Sequence, residues 1–334
     1  MSVAVSQPAT PADFVKEVAA LGERLQQVRE SIGRVIFGQR DVIDHTLITL
    51  LSGGHALLIG VPGVAKTRLV ETLGTVLGID DKRVQCTPDL MPADILGVEV
   101  LEEGEQGRRS FRFIKGPIFC QLLMADEINR ASPRTQSALL QAMQERRVSI
   151  AGQSYNLPAP FHVFATQNPL EQEGTYSLPE AQLDRFLMQI DMNYPDLESE
   201  RMMMLATTGE KEGTAVAVLS GPELVRAQQL IRRVPVGESV VEAILSLVRS
   251  GRIEHGNPDV TRYVSWSPGP RACQALMLAC RARALLQGRL APSIDDVIAL
   301  ARPILRHRMA LNFTARVDGV TMDEVIDRLC QPLA

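Results

Sequence analysis

The chain of 334 residues has no run approaching the roughly 20 consecutive apolar residues that a membrane-spanning helix needs. Its start, MSVAVSQPATPADF, lacks the basic residues and apolar block of a secretory leader. Cysteine is scarce: Cys86, Cys120, Cys273, Cys280 and Cys330 are odd in number, scattered and without a CxxC pair. That spacing suggests neither a disulfide framework nor a zinc site. Cys120 lies in an apolar run and is expected to be buried. The histidines are equally dispersed, which points to structural or surface roles rather than metal ligation. Nor is there an excess of basic residues. The formal net charge is −4, which argues against duplex DNA as the main partner, because phosphate binding wants clustered Lys and Arg. The expected compartment is the cytoplasm.

What is present is ordinary material for a folded protein: 45% hydrophobic and 22% charged residues, over a length that suggests about two domains. Residues 1–12 read as a frayed end. Phe14, Val18, Leu21, Leu25, Val28 and Ile32 recur at helical spacing over residues 13–33. Residues 35–54 read as a turn at Gly38 and a helix ending in glycines. Strand and helix signals then alternate. HALLIG (55–60), RVQCT (83–87), CQLLMAD (120–126) and FHVFATQN (161–168) are short strands, with helices over 66–78 and 132–146 between them. Ser132 caps the latter helix, with Pro133 in its first turn. Such alternation predicts a parallel sheet covered on both faces.

Residues 98–113, turning near Gly104 to Gly107, and residues 146–158, around Gly152, read as hairpin inserts. From about residue 210 only helices are expected, over 222–234, 239–250, 269–286 and 294–306. Ser293 and Asp296 suit the start of the last, and Pro303 is a place for a kink. The predicted fold class is therefore α/β: a parallel-sheet core with two β-hairpin inserts, followed by an all-α C-terminal domain.

The chemistry begins after the first strand, in GVPGVAKTR. Gly60, Val61, Pro62, Gly63, Val64, Ala65, Lys66, Thr67 and Arg68 form a strand-to-helix loop of the kind that points backbone N–H groups at phosphates. Lys66 would reach the β and γ oxygens, and the Thr67 hydroxyl would ligate Mg²⁺. The strict pattern G-x-x-x-x-G-K-[ST] has glycine where this chain has Ala65. Alanine is tolerable there if φ is negative and its Cβ points away from the phosphates.

Four further signals lie downstream. Asp126 and Glu127 end an apolar strand, placing Asp126 to hold Mg²⁺ through water and Glu127 to polarise an attacking water as general base. Asn168, at another strand end, is either a water-orienting amide or a turn residue before Pro169. Arg185, in LPEAQLDRF, is either a finger reaching a neighbour's γ-phosphate or a surface ion pair with Asp184 or Glu180. Arg271, in SPGPRA, is either a γ-phosphate contact from the C-terminal domain or a surface cap.

Together these segments resemble the AAA+ ATPases, and their wording resembles the MoxR family: GVPGVAKT, TPDLMPADILG, GPIF, ADEINRASPRTQSALLQAMQE, ATQNPLEQEGTYSLPEAQLDRF and SPGPRA, over residues 30–318. Alanine before the lysine is familiar in that family. The resemblance implies an N-terminal helical extension over 1–34, an αβα ATPase core over 35–208 and a helical lid over 209–334. It implies Walker A roles for Lys66 and Thr67, Walker B roles for Asp126 and Glu127, sensor 1 for Asn168, an arginine finger at Arg185 and sensor 2 at Arg271. The segment Val35 to Gln39, with Phe37, Gly38 and Gln39, would contact the adenine. ATP or ADP with Mg²⁺ would be the cofactor. The protein would assemble into rings, usually hexamers, and remodel client proteins beside a partner carrying a von Willebrand factor A domain, with metalloenzyme cofactor insertion as a recurrent theme. A nucleic-acid motor and a metal-chelatase subunit are the competing functions. Trp266 is expected to pack within the lid, and Met202 to Met204 to fill core at the domain junction.

Overall fold

The computed structural model describes residues 11–103, 109–170, 174–209, 213–255 and 257–333. Two helices open it, α1 (Pro11–Gly33) and α2 (Arg40–Leu51). Val18, Leu25, Val28 and Ile32 of α1 are buried, so the expected apolar stripe is the face that packs. The core elements follow in order: β1 (Ala56–Gly60), α3 (Lys66–Leu77), β2 (Asp81–Gln85), α4 (Pro92–Leu96), β3 (Gly97–Glu103), β4 (Arg109–Lys115), β5 (Leu122–Asp126), α5 (Pro133–Glu145), β6 (Arg147–Ile150), β7 (Gln153–Asn156), β8 (His162–Gln167), α6 (Glu180–Leu183) and β9 (Met188–Met192).

Five of these strands form one parallel sheet in the order β2-β5-β8-β1-β9. β5, with Leu122 to Asp126, is buried throughout, as a central strand covered on both faces must be. Ser132 caps α5 by accepting the Thr135 N–H at 3.3 Å, and Pro133 sits in its first turn as expected. β9 has no counterpart in the sequence expectations. It follows Arg185 after a single turn, without the Gly or Pro punctuation that marks the other strands.

The two hairpins stand apart from the sheet. β3 pairs antiparallel with β4, while the turn expected at Gly104 to Gly107 lies outside the described residues. β6 and β7 are joined through Ala151 and Gly152, both at positive φ, as a tight two-residue turn requires. Phe113 of β4 stacks on Tyr155 of β7 with ring centroids 4.3 Å apart, so the two inserts touch.

Helix α7 (Leu197–Thr208) leads to the C-terminal part: α8 (Gly221–Arg233), α9 (Glu238–Ser250), α10 (Pro258–Tyr263), β10 (Val264–Trp266), α11 (Pro270–Leu286), α12 (Ile294–Leu305), β11 (Ala310–Leu311), α13 (Phe313–Val317) and α14 (Met322–Cys330). The region is helical except for the short antiparallel pair β10–β11. The Ser293 N–H donates to Asp296 at 2.8 Å to start α12, and the helix runs through Pro303 to Leu305. Two smaller expectations are corrected. Trp266 is 44% exposed at the end of β10 rather than packed inside. Met202 and Met204 are also exposed, because Ser199 is the single buried residue of α7. No described helix is long and apolar enough to cross a membrane.

Candidate active site

The strand register brings the chemistry to one edge of the sheet. Ile59 lies beside Gln167, Ala125 beside Ala165, and Gln85 beside Asp126. The loop after β1, the carboxylates ending β5 and Asn168 after β8 therefore meet where parallel-sheet proteins bind ligands. They line a cavity of about 400 Å³ formed by Pro62, Gly63, Ala65, Lys66, Thr67, Arg68, Arg83, Asp126, Glu127 and Asn168. Lys66, Thr67, Asp126, Glu127 and Asn168 were named from sequence; Arg83 was not. A larger hollow of about 670 Å³ on the C-terminal helices, lined by Glu242, Arg249 and His255 among others, gathers none of the expected residues.

The loop departs from expectation at Ala65. Its φ is 63° and its ψ 25°, in the left-handed region, not the negative φ that alanine favours. The chain turns there to launch α3 at Lys66, and the turn is made against the preference of a Cβ-bearing residue, at a cost of about 1–2 kcal/mol. Gly63, at φ 86°, meets the same demand without that cost. Lys66 Nζ donates to the Gly60 carbonyl at 2.6 Å, which keeps the ammonium against the loop.

Both carboxylates are held. Asp126 accepts the Thr166 hydroxyl at 2.5 Å on Oδ1 and Arg83 on Oδ2. Glu127 sits at φ 53°, an uncommon conformation for a side-chain-bearing residue, and its N–H donates to Thr166 Oγ1 at 2.8 Å. Gln85 Nε2 donates to Glu127 Oε2 at 2.9 Å, and Arg130 Nη1 donates to the same oxygen at 3.1 Å. Asn168 is 5% exposed, and its Oδ1 accepts the Leu170 N–H at 3.1 Å, so it is a turn-forming residue as well as a cavity residue. Beneath them, burial and then the Asp126 and Glu127 charges push the Cys86 thiol up to about 12, which leaves it protonated and inert.

A second cavity of about 290 Å³ adjoins the first across Pro62, Gly63, Ala65 and Arg68. Val35, Ile36, Phe37 and Gln39 line it together with Tyr194, Pro195 and Met203. Phe37 and Gln39, which the resemblance assigns to the adenine, thus line this second cavity. Gly38 is at φ 66° with Ser199 of α7 against it, so a Cβ there would collide with the helix. Tyr194 escaped sequence reasoning because it belongs to no phosphate motif, and Met203, expected as core filler at the domain junction, lines this cavity instead.

Arg185 and Arg271 do not line the phosphate cavity of their own chain. The structure brings them to each other. Arg271 Nη1 is 3.8 Å from Asp184 Oδ2, and burial and then the Arg271 charge lower the pKa of Arg185. The Arg185 Nε is buried without a hydrogen-bond partner. Arg271, expected as a γ-phosphate contact from the C-terminal domain, lies beside Asp184 and not in the lining of the phosphate cavity. The turn carrying Arg185 is fixed by a residue that sequence reasoning missed. Arg308, 3% exposed, donates Nε to Asp184 Oδ1 at 2.8 Å, Nη2 to the Phe186 carbonyl at 2.6 Å and Nη1 to the Leu187 carbonyl at 3.1 Å. Burial lowers its pKa to about 10, still fully charged at neutral pH.

The chain is similar to known ATPases in sequence and in fold. The profile of the ATPase family associated with various cellular activities (AAA) matches residues 55–188, and that of the AAA lid domain matches residues 259–329. "Chaperone MoxR1" of Mycobacterium tuberculosis is 41% identical over 97% of this chain and 85% of its own length. "Protein MoxR" of Paracoccus denitrificans is 31% identical over 86% of this chain and 89% of its own. A crystal structure of a proposed ATPase from Cytophaga hutchinsonii superposes with a TM-score of 0.86 at 36% identity, covering 94% of this chain and 96% of that one.

Proposed function

Because the chain belongs to the MoxR family of AAA+ ATPases, we propose that it hydrolyses ATP with Mg²⁺ in the cavity above the sheet, within a ring of its own copies, and applies the resulting motion to client proteins as a chaperone-like remodeller. Residues 35–208 form the ATPase core and residues 209–334 the lid in this reading. The observation that carries it is the convergence of Lys66, Thr67, Asp126, Glu127 and Asn168 on one polar cavity, with a less polar cavity beside it across the loop.

The residues suit the nucleotide. Lys66 and the loop N–H groups take the phosphates, and the pocket lined by Phe37 and Tyr194 takes the base. Thr67 and Asp126 offer hard oxygen donors in the same cavity, the donor set a divalent cation with phosphate ligands prefers. When bound, Mg²⁺ neutralises charge on the phosphate oxygens. Glu127 accepts the proton of the attacking water once Gln85 and Arg130 yield their hold. Asn168 orients that water. Arg185 and Arg271, side by side and away from their own cavity, are presented to the nucleotide of a neighbouring copy, which supports a site completed between protomers. Six copies are usual in the family. A von Willebrand factor A partner and metalloenzyme maturation are the finer expectations, and the chaperone name of the mycobacterial relative supports the general role.

The test is the variant Glu127→Gln, which retains nucleotide and loses about 10²–10⁴ in hydrolysis rate. Used as an ATP-held trap in extract, it is expected to retain a von Willebrand factor A protein and a client protein, identified by mass spectrometry. Recovery of nucleic acid or of chelatase subunits instead would overturn the remodeller reading, and an unchanged turnover rate would remove Glu127 from its role.

A further inference from the structure

Both oxygens of Asp126 already have partners within the chain. Oδ1 accepts the Thr166 hydroxyl at 2.5 Å; Oδ2 accepts Arg83 Nε at 3.1 Å and Arg83 Nη2 at 2.5 Å. The two partners differ in freedom. Thr166 is fully buried on β8 and is also tied to the Glu127 backbone N–H. Arg83 stands on the edge strand β2 with its side chain 49% exposed, and it lines the same cavity as Lys66 and Thr67. A cation approaching Thr67 and Asp126 meets a carboxylate whose charge is already matched, and the arginine is the partner able to leave.

We propose that Arg83 is a built-in counter-ion of Asp126 that competes with the divalent cation of the nucleotide, leaving the carboxylate as the cation arrives. This rests on reading the cavity as an ATP–Mg²⁺ site and goes beyond it by assigning a positioning role to a residue outside the loop and the carboxylate motif. Two physical consequences follow. The pair spares Asp126 from standing as an uncompensated carboxylate at the end of a buried strand. The cation's arrival also reaches the general base: Arg83 Nη2 donates to Gln85 Oε1 at 2.8 Å, and Gln85 Nε2 donates to Glu127 Oε2 at 2.9 Å. When the guanidinium moves, the Gln85 amide loses the contact that aims it at Glu127. β2 thereby links occupancy of the metal position to the freedom of the base.

The experiment measures binding of a non-hydrolysable fluorescent ATP analogue against Mg²⁺ concentration, in the parent protein, Arg83→Gln and Arg83→Lys. Removal of the competing charge in Arg83→Gln is expected to lower the half-saturating Mg²⁺ concentration by roughly threefold to tenfold, the range of a half-exposed charge-assisted pair. Arg83→Lys, which keeps a cation in place, is expected to restore most of the parent's Mg²⁺ requirement. A circular-dichroism melt without nucleotide reports that each variant is folded. An unchanged or increased Mg²⁺ requirement in Arg83→Gln would overturn the proposal. A parent that binds the analogue indifferently to Mg²⁺ would instead remove the ATP–Mg²⁺ reading, and the proposal with it.

Discussion

Ala65 and Gly63 make a matched experiment within one loop. Ala65 is held at φ 63° and ψ 25°, where a side-chain-bearing residue costs about 1–2 kcal/mol relative to its preferred region. Replacing it with glycine relieves that cost but gives the unfolded chain more freedom, which takes back about 0.4–1 kcal/mol. Ala65→Gly is therefore expected to gain about 0.5–1 kcal/mol, or about 2 °C in melting midpoint for a chain of this size. Gly63→Ala runs the other way. Gly63 is at φ 86°, and an added Cβ meets no heavy atom within 4 Å, so the penalty is backbone strain alone. It should lose about 0.5–1 kcal/mol. Denaturant midpoints at constant slope, without nucleotide, measure both, so that ligand binding does not enter. If Ala65→Gly is less stable than the parent, or both substitutions shift stability in one direction, the strain assigned to the loop is wrong.

Two more outcomes follow from the geometry. Arg185→Ala should keep nucleotide affinity while losing about 10³–10⁵ in turnover, and normal hydrolysis by the variant as a dilute monomer would refute a site shared between copies. Burial holds the His55 pKa at about 3 and the His162 pKa at about 4, against an ordinary value of 6.5, with neutral rings locked by hydrogen bonds to Met143, Val163 and Gly54. A depressed histidine contributes stability above its unfolded pKa and loses it as pH falls. The structure should therefore lose about 2 kcal/mol per histidine between pH 7 and pH 5, and equal urea midpoints at the two pH values would contradict the burial of these rings.

Much of the site was legible because its parts lie on local patterns. Lys66 and Thr67 open a helix directly after a buried strand, and Asp126 and Glu127 close another, so strand endings alone placed them together. What stayed hidden depends on sheet order and docking. Arg83 and Gln85 alternate on one strand in a way that any surface strand shows, and only the adjacency of β2 to β5 aims them at the carboxylates. Arg308 lies 124 positions from Asp184, in a segment that reads as the end of an ordinary helix. The exposed methionines of α7 were misjudged because composition says nothing about which helices find partners. Helix α14 was missed although its Thr321–Glu324 capping box is a local signal. The left-handed Ala65 was missed for the opposite reason, since the rule that alanine avoids that region is sound and the loop overrides it.

The clamp made by Arg308 has a mechanical meaning. It belongs to the helical part of the chain, yet it grips the turn of the sheet domain from which Arg185 projects. The turn cannot shift without carrying that attachment along, so the helical part and the arginine behave as one lever. In an assembly of the proposed kind, the free end of the lever would rest in someone else's nucleotide. Damage to Arg308 should then show two faces: lost thermal resistance in an isolated chain, and mistimed hydrolysis in the copy next door, whose own residues are all intact.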